Sequence, residues 1–240
     1  MLATTEGVIL HVIKYGESSV IAIIYTKDFG RRAYIINSLR GRKTTKRPCL
    51  QPMFLVNLVA YHKDSRNIQR VKEIKNYPAY QNIPFDISKS TQTLFISEIL
   101  YKTLREQESS PDLFNFIKNS FLFFDLAEGT VANFHIYFLF RLTEYLGFMP
   151  DMRASGTKGC LDMQQGIILP YEPVHAFFLN SEATQLMCVL SNLKIKDLGG
   201  LRISRNMRDY LINKLVEYYR LHFENMGEIK SLKVLREVFS

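Results

Sequence analysis

The chain has 240 residues, 47% hydrophobic and 22% charged, a composition that excludes a disordered polymer and allows one large or two modest folded domains. Its net charge of +8 is placed unevenly: residues 1–80 hold 14 Lys and Arg against 5 Asp and Glu, while the remainder holds 17 against 18. Solubility would not require that asymmetry, whereas a local anion-binding surface would. The longest uncharged apolar runs, such as residues 134–140, fall far short of the ~20 residues that span a bilayer.

The opening MLATTEGVIL has no basic segment followed by a long apolar core, so no secretory signal is expected. Residues 5–14 read as a strand covered on both sides for part of its length, since Val8, Leu10 and Val12 interleave with Ile9 and Ile13. Tyr15-Gly16-Glu17-Ser18 supplies a turn, 19–26 (SVIAIIYT) a second strand, and Lys27-Asp28-Phe29-Gly30 a hairpin turn into a third strand over 31–38. Residues 53–63 give a fourth strand with Asn57, Tyr61 and Lys63 on one face and Phe54, Val56, Leu58 and Ala60 on the other. A fifth, more exposed strand over 67–75 alternates Ile68, Arg70, Lys72 and Ile74 with Gln69, Val71 and Glu73. Five strands in so short a stretch predict a small closed barrel of the five-stranded OB type.

Within this barrel, residues 31–47 (RRAYIINSLRGRKTTKR) carry Arg31, Arg32, Arg40, Arg42, Lys43, Lys46 and Arg47, and no acid occurs between Asp28 and Asp64. Such a stretch can follow a phosphate chain, releasing counterions from it, or can be a solvated hairpin tip. With Lys63, these seven are the candidate nucleic-acid contacts. Tyr25, Tyr34 and Tyr61 are candidates for stacking on bases, or core.

At 77–84 two prolines interrupt the pattern and the period changes from two to 3.6, which places a domain boundary near residue 80. Asp86 or Ser88 can cap a helix with Ile87, Thr91, Leu94, Phe95, Glu98 and Tyr101 on one face; Ser110-Pro111 opens a second helix, and Thr130 a third that ends at Gly147. The third is apolar nearly all round, so it should be the centre of a helical domain spanning 81–240, with His135 a core residue. Residues 151–175 form an irregular insert with a hairpin near Gln165-Gly166; Ser181, Ser204 and Ser231 then open three further helices.

No P-loop, HExxH or GxSxG is present, and no carboxylate pair sits beside a histidine, so hydrolase readings have no anchor. Cys49, Cys160 and Cys188 are odd in number and far apart, which fits reduced thiols; without any CxxC, neither a metal nor another cofactor is expected.

The order of features (EGVILHVIKYGESS, Phe29-Gly30, the basic 40–47 stretch, Leu50-Gln51-Pro52 before a long strand, then Tyr145-Leu146-Gly147-Phe148-Met149-Pro150-Asp151 and the terminal helix) resembles the bacterial recombination mediator family RecO. The resemblance implies an OB-fold joined to a helical domain, without enzymatic activity, in the bacterial cytoplasm at the nucleoid. It implies binding of single- and double-stranded DNA, strand annealing, partnership with RecR, and indirect help to RecA in displacing single-strand binding protein (SSB). The SSB tail, acidic and phenylalanine-ended, would meet the helical domain, where Arg208, Lys214 and Arg220 are candidate partner contacts. Many relatives carry a four-cysteine zinc motif in the insert; here only Cys160 lies in that region, so no intact zinc finger is expected. The alternative is a non-catalytic adaptor whose helical domain binds a partner tail with no direct DNA role. A nucleic-acid enzyme is a third reading that no carboxylate cluster supports.

Overall fold

A computed structural model describes residues 1–37, 49–63, 65–105, 108–129, 131–153 and 159–239. Five strands, β1 (Leu2–Tyr15), β2 (Ser19–Thr26), β3 (Gly30–Ile36), β4 (Leu55–Tyr61) and β5 (Ile68–Asn76), close a barrel in the order β1-β2-β3-β5-β4. All neighbours are antiparallel except β3 and β5, whose parallel contact pairs Ala33 with Ile68 and Ile35 with Arg70. This is the expected OB-fold. Alternation supplies its core: Ile9, Ala22, Ile24, Tyr34, Ile36, Val56, Leu58, Ala60, Val71 and Ile74 point inward and are buried. Gly7 sits where β1 crosses that interior, and a Cβ there would come within 2.6 Å of Ile24 Cγ2, so the approach demands glycine.

The compact unit built on the barrel runs from Met1 to Leu126 and takes in α1 (Ile87–Thr103) and α2 (Pro111–Leu126). Asp86 caps α1 by accepting from the Lys89 N–H at 3.0 Å, and Ser110 caps α2 by accepting from Leu113. The buried side of α1 differs from the one expected. Ile87 is 71% exposed, and the covered residues are Phe95, Ile96, Ile99 and Leu100 together with the polar Lys89, Gln92, Thr93 and Ser97. Those polar groups misled the apolar pattern because each finds a hydrogen-bond acceptor, within α1 or on another element: Ser97 Oγ, for example, donates to the Leu10 carbonyl (2.6 Å) at a bulge in β1. The segment after β5 is held by Asp125 on α2, whose carboxylate accepts from the backbone N–H groups of Gln81 (2.7 Å), Asn82 (2.8 Å) and Ile83 (2.8 Å).

The second unit, Ala127–Ser240, is built around α3 (Phe134–Tyr145), whose Phe134, Ile136, Phe138, Leu139 and Leu142 have no exposed surface. The expected cap, Thr130, lies outside the described residues; the helix begins at Phe134, and the preceding Asn133 is spent on the Leu201 carbonyl (2.7 Å) rather than on capping. Around it stand α4 (Ser181–Asn192), a 3-10 turn at Ile195–Gly200, α5 (Arg205–His222) and α6 (Ser231–Val238). Asn180, one residue before the expected Ser181, caps α4, whereas Ser204 caps α5 as expected. The insert is more regular than its sequence indicated. A hairpin of β6 (Cys160–Asp162) and β7 (Ile167–Leu169) turns at Gly166, and β8 (Phe178–Leu179) adds a third strand on the other side of β6.

Candidate nucleic-acid interface

β5 buries Gln69, Val71 and Ile74 and turns Ile68, Arg70, Lys72, Glu73 and Lys75 to water. Strict alternation would place Lys72 and Lys75 on opposite faces. A bulge resolves this: Val59 pairs with Glu73 and Ala60 with Val71, leaving Lys72 as the extra residue, so that Arg70, Lys72 and Lys75 are all exposed. Arg70 stands between Ile35 on β3 and Tyr61 on β4, and Tyr61 is 49% exposed beside it.

The turn leading into β5 is shaped by one buried side chain. The Gln69 carbonyl oxygen accepts from the Lys63 N–H (2.9 Å), and its amide nitrogen donates to the carbonyls of Lys63 (2.9 Å) and Arg66 (2.6 Å). That clamp holds a tight turn on which the Lys63 and Arg66 side chains are exposed. The result is a water-facing row of Lys63, Arg66, Arg70, Lys72 and Lys75, interrupted by Glu73 and containing one exposed tyrosine. Among the described residues none of the five takes a carboxylate partner. Cations without internal partners keep their full attraction for an external polyanion.

The anticipated contacts fall in three groups. Arg40, Arg42, Lys43, Lys46 and Arg47 lie outside the described residues. Lys63 belongs to the exposed row. Arg31 and Arg32 do not extend it: Arg31 Nη1 donates to the carbonyls of Tyr101 (2.7 Å) and Leu104 (2.5 Å) at the end of α1, and burial pulls its pKa below the ordinary value. Arg32 is half-buried and pairs across β2 with the core residue Ile24, which puts it on the inward row of β3. Of the three tyrosines considered for stacking, only Tyr61 is accessible. Tyr25 and Tyr34 are core, and burial pushes the Tyr34 hydroxyl up to about 12 against opposing effects of Thr26 and Arg32. Sequence reasoning passed over Arg66, Arg70, Lys72 and Lys75, although cations recurring on a strand read as half-exposed were a usable signal.

In the second unit, Arg208, Lys214 and Arg220 follow one another at six-residue steps on α5, which sets them about 120° apart around the helix. They are not brought together. Arg208 donates to the Ile203 carbonyl (2.7 Å), Lys214 to Glu217 (2.8 Å) and the Ala176 carbonyl (2.9 Å), and Arg220 to the Gly227 carbonyl (3.3 Å).

Comparison with known proteins settles the family. Residues 1–77 match the family described as Recombination protein O N terminal, and residues 84–233 match Recombination protein O C terminal. The chain belongs to the RecO family. It is 31% identical to the DNA repair protein RecO of Phocaeicola vulgatus over 242 residues, 32% to that of Azobacteroides pseudotrichonymphae over 240 and 31% to that of Bacteroides fragilis over 241, with 100% of both chains covered in each case. The RecO name ties the chain to DNA repair. No described helix is long and apolar enough to cross a membrane.

The zinc that the RecO resemblance brings to mind does not fit the insert of this chain. Cys160 is its one cysteine, burial pushes that thiol up, and among the described residues no three His, Cys, Asp or Glu side chains gather into a metal-binding group. Asp162 takes over the job of organising the turn: its carboxylate accepts from the N–H groups of Gln164 (2.8 Å) and Gln165 (3.1 Å) and meets His175 Nε2 at 3.2 Å.

Proposed function

We propose that this protein binds single-stranded DNA along the outer face of β5 and the turn before it, and that it acts as a recombination mediator in DNA repair. The carrying observation is the row Lys63, Arg66, Arg70, Lys72 and Lys75, exposed beside Tyr61 and without carboxylate partners among the described residues. The five cations of residues 40–47 join the proposal on sequence grounds, as do binding of double-stranded DNA and strand annealing. Loading of RecA onto SSB-coated DNA together with RecR is the role proposed for that binding, one that needs positioning of strands rather than a catalytic site.

Five single-strand phosphate contacts predict that log affinity falls with log salt at a slope of about −3.5, at ~0.7 per contact. Replacing Arg66, Arg70, Lys72 and Lys75 by Ala should weaken binding and flatten that slope by about 0.7 per contact removed. Unchanged affinity and slope would reject the β5 face. The same experiment on Arg40, Arg42, Lys43, Lys46 and Arg47 decides how much of the interface belongs to that stretch.

A second reading, an adaptor acting through the helical unit, is favoured by a cleft walled by Phe140, Leu161, Met187, Leu211 and Tyr218 with Lys214 at its edge. An apolar floor beside a cation suits an acidic, phenylalanine-ended SSB tail. The free volume is about 10 Å³, room for roughly one water, so a phenyl ring enters only if the cleft opens. Titrating a tail peptide against the full chain and its Lys214→Ala variant tests this reading separately from DNA binding.

A further inference from the structure

At the carboxyl end of β5, where the cationic row stops at Lys75, the next residue, Asn76, lines a cavity of about 620 Å³ within the first unit. That volume lies inside the roughly 300–1,000 Å³ of clefts that hold small organic groups. Phe54, Pro84, Phe85 and Leu94 supply apolar surface, Gln51 and Asn76 supply amides, and among the described residues no charged side chain lines it.

The Phe54 ring and the turn that carries Phe85 are both held in place. Phe54 packs edge-on against Tyr80 with ring centres 5.5 Å apart, and the Tyr80 hydroxyl donates to the Met53 carbonyl at 3.0 Å. Phe85 stands on a turn closed by its own N–H donating to the Asn82 carbonyl (2.9 Å), and Asp125 grips that turn through the N–H groups of Gln81, Asn82 and Ile83. Even so, the Phe85 side chain is 85% exposed. A phenylalanine displayed to water on a hydrogen-bonded turn, beside a cavity whose described lining is neutral and next to a row of cations, matches the division of a nucleotide into an anionic backbone and a flat, neutral base.

We propose that this cavity receives an unstacked base of single-stranded DNA whose phosphates lie along Lys72 and Lys75. The inference rests on the β5 reading and deepens it. The ring of Phe85 offers a π-face for stacking, which tolerates any base. The exposed amide of Gln51 carries a donor and an acceptor, the pattern that base edges present in return. The described lining is neutral and gives a phosphate no counter-charge, whereas Lys72 and Lys75 do, so the backbone remains on the strand while the base turns in. An apolar peptide segment is the competing occupant; it would have no need of the adjoining cations.

The test compares the full-length protein's affinity for an oligothymidylate and for an oligomer of equal length whose central nucleotides lack bases. The wild type should prefer the intact oligomer by roughly tenfold or more, the size of a base-stacking contribution. Phe85→Ala should lose that preference and bind both oligomers with the wild-type affinity for the abasic one, while Phe85→Tyr retains it. Because Phe85 is exposed, unchanged thermal melting of the variants is expected and confirms that the fold is intact. Equal wild-type affinity for the two oligomers, or a Phe85→Ala variant that keeps the preference, overturns the base pocket yet leaves the cationic row standing. Unchanged affinity and salt slope in the variant with Arg66, Arg70, Lys72 and Lys75 replaced by Ala overturns the underlying reading instead, and the pocket with it.

Discussion

The guanidinium of Arg31 lies 4.8 Å from the centre of the Tyr101 ring while its Nη1 donates to the Tyr101 backbone carbonyl. An arginine that sequence alone groups with the basic stretch thus finishes α1: it supplies positive charge and donors where the helix leaves carbonyls unsatisfied. Replacing Arg31 by Ala should cost about 2 kcal/mol, since hydrogen bonds from a charged donor contribute ~1.5–3. Lysine should restore little because it lacks the planar fork. Urea unfolding measures the loss, and an unaltered midpoint would show that the cap is dispensable.

Asp125 predicts a larger effect. Its carboxylate accepts from three backbone N–H groups, it is 3% exposed, and its own carbonyl accepts from Lys89 Nζ at 2.9 Å. Asp125→Ala strands those donors and should destabilise the protein by roughly 3–5 kcal/mol. Hydrogen exchange should show the amides of Gln81, Asn82 and Ile83 losing protection first. Retained protection there would contradict the assignment of Asp125 as the anchor of that turn.

His135 makes the helical unit sensitive to acid. Burial, and secondarily Arg208, pushes its pKa down to about 3 from the ordinary 6.5. Between those values the unfolded chain binds a proton that the folded one refuses, so stability falls as pH drops from about 6.5 toward 3, by at most ~1.4 kcal/mol per pH unit. Above pH 6.5 this residue contributes no slope. Urea midpoints for the wild type and for His135→Phe should diverge in pH dependence over that window. Parallel curves would show that other groups govern the acid response.

The insert should stand without metal. Phe177 donates its N–H to His175 Nδ1 (3.2 Å), which leaves the proton on Nε2 to be donated to Asp162. Chelators should therefore leave the melting temperature where it is. Asp162→Ala should lower stability by about 2 kcal/mol, because the carboxylate is buried and its backbone donors would be left unpaired. A chelator-induced drop in melting temperature would refute this account.

How much was legible in advance varies with the kind of signal. The barrel strands were readable because a period of two needs only the local order of apolar residues, and 19–26 was anticipated to the residue. The α1 face was not, because Lys89 and Ser97 are buried with hydrogen bonds to the distant carbonyls of Asp125 and Leu10, which no local pattern reveals, while Thr93 is buried and donates to the Lys89 carbonyl within the helix. Asn180 outcompeted Ser181 as the α4 cap for a similar reason: a one-residue shift in where the chain leaves β8 decides which side chain reaches the first turn.

The family, a barrel followed by helices and the concentration of positive charge in residues 1–80 follow from the sequence by itself, because composition, periodicity and motif order survive without coordinates; that α1 and α2 group with the barrel in one compact unit does not. Which cations face water together was decided only by the tertiary structure. A bulge in β5 aligned Arg70, Lys72 and Lys75, the end of α1 claimed Arg31, and α5 spread Arg208, Lys214 and Arg220 to three sides. Charge is a property of a residue, but its availability depends on which carbonyls and carboxylates the fold brings within hydrogen-bonding reach.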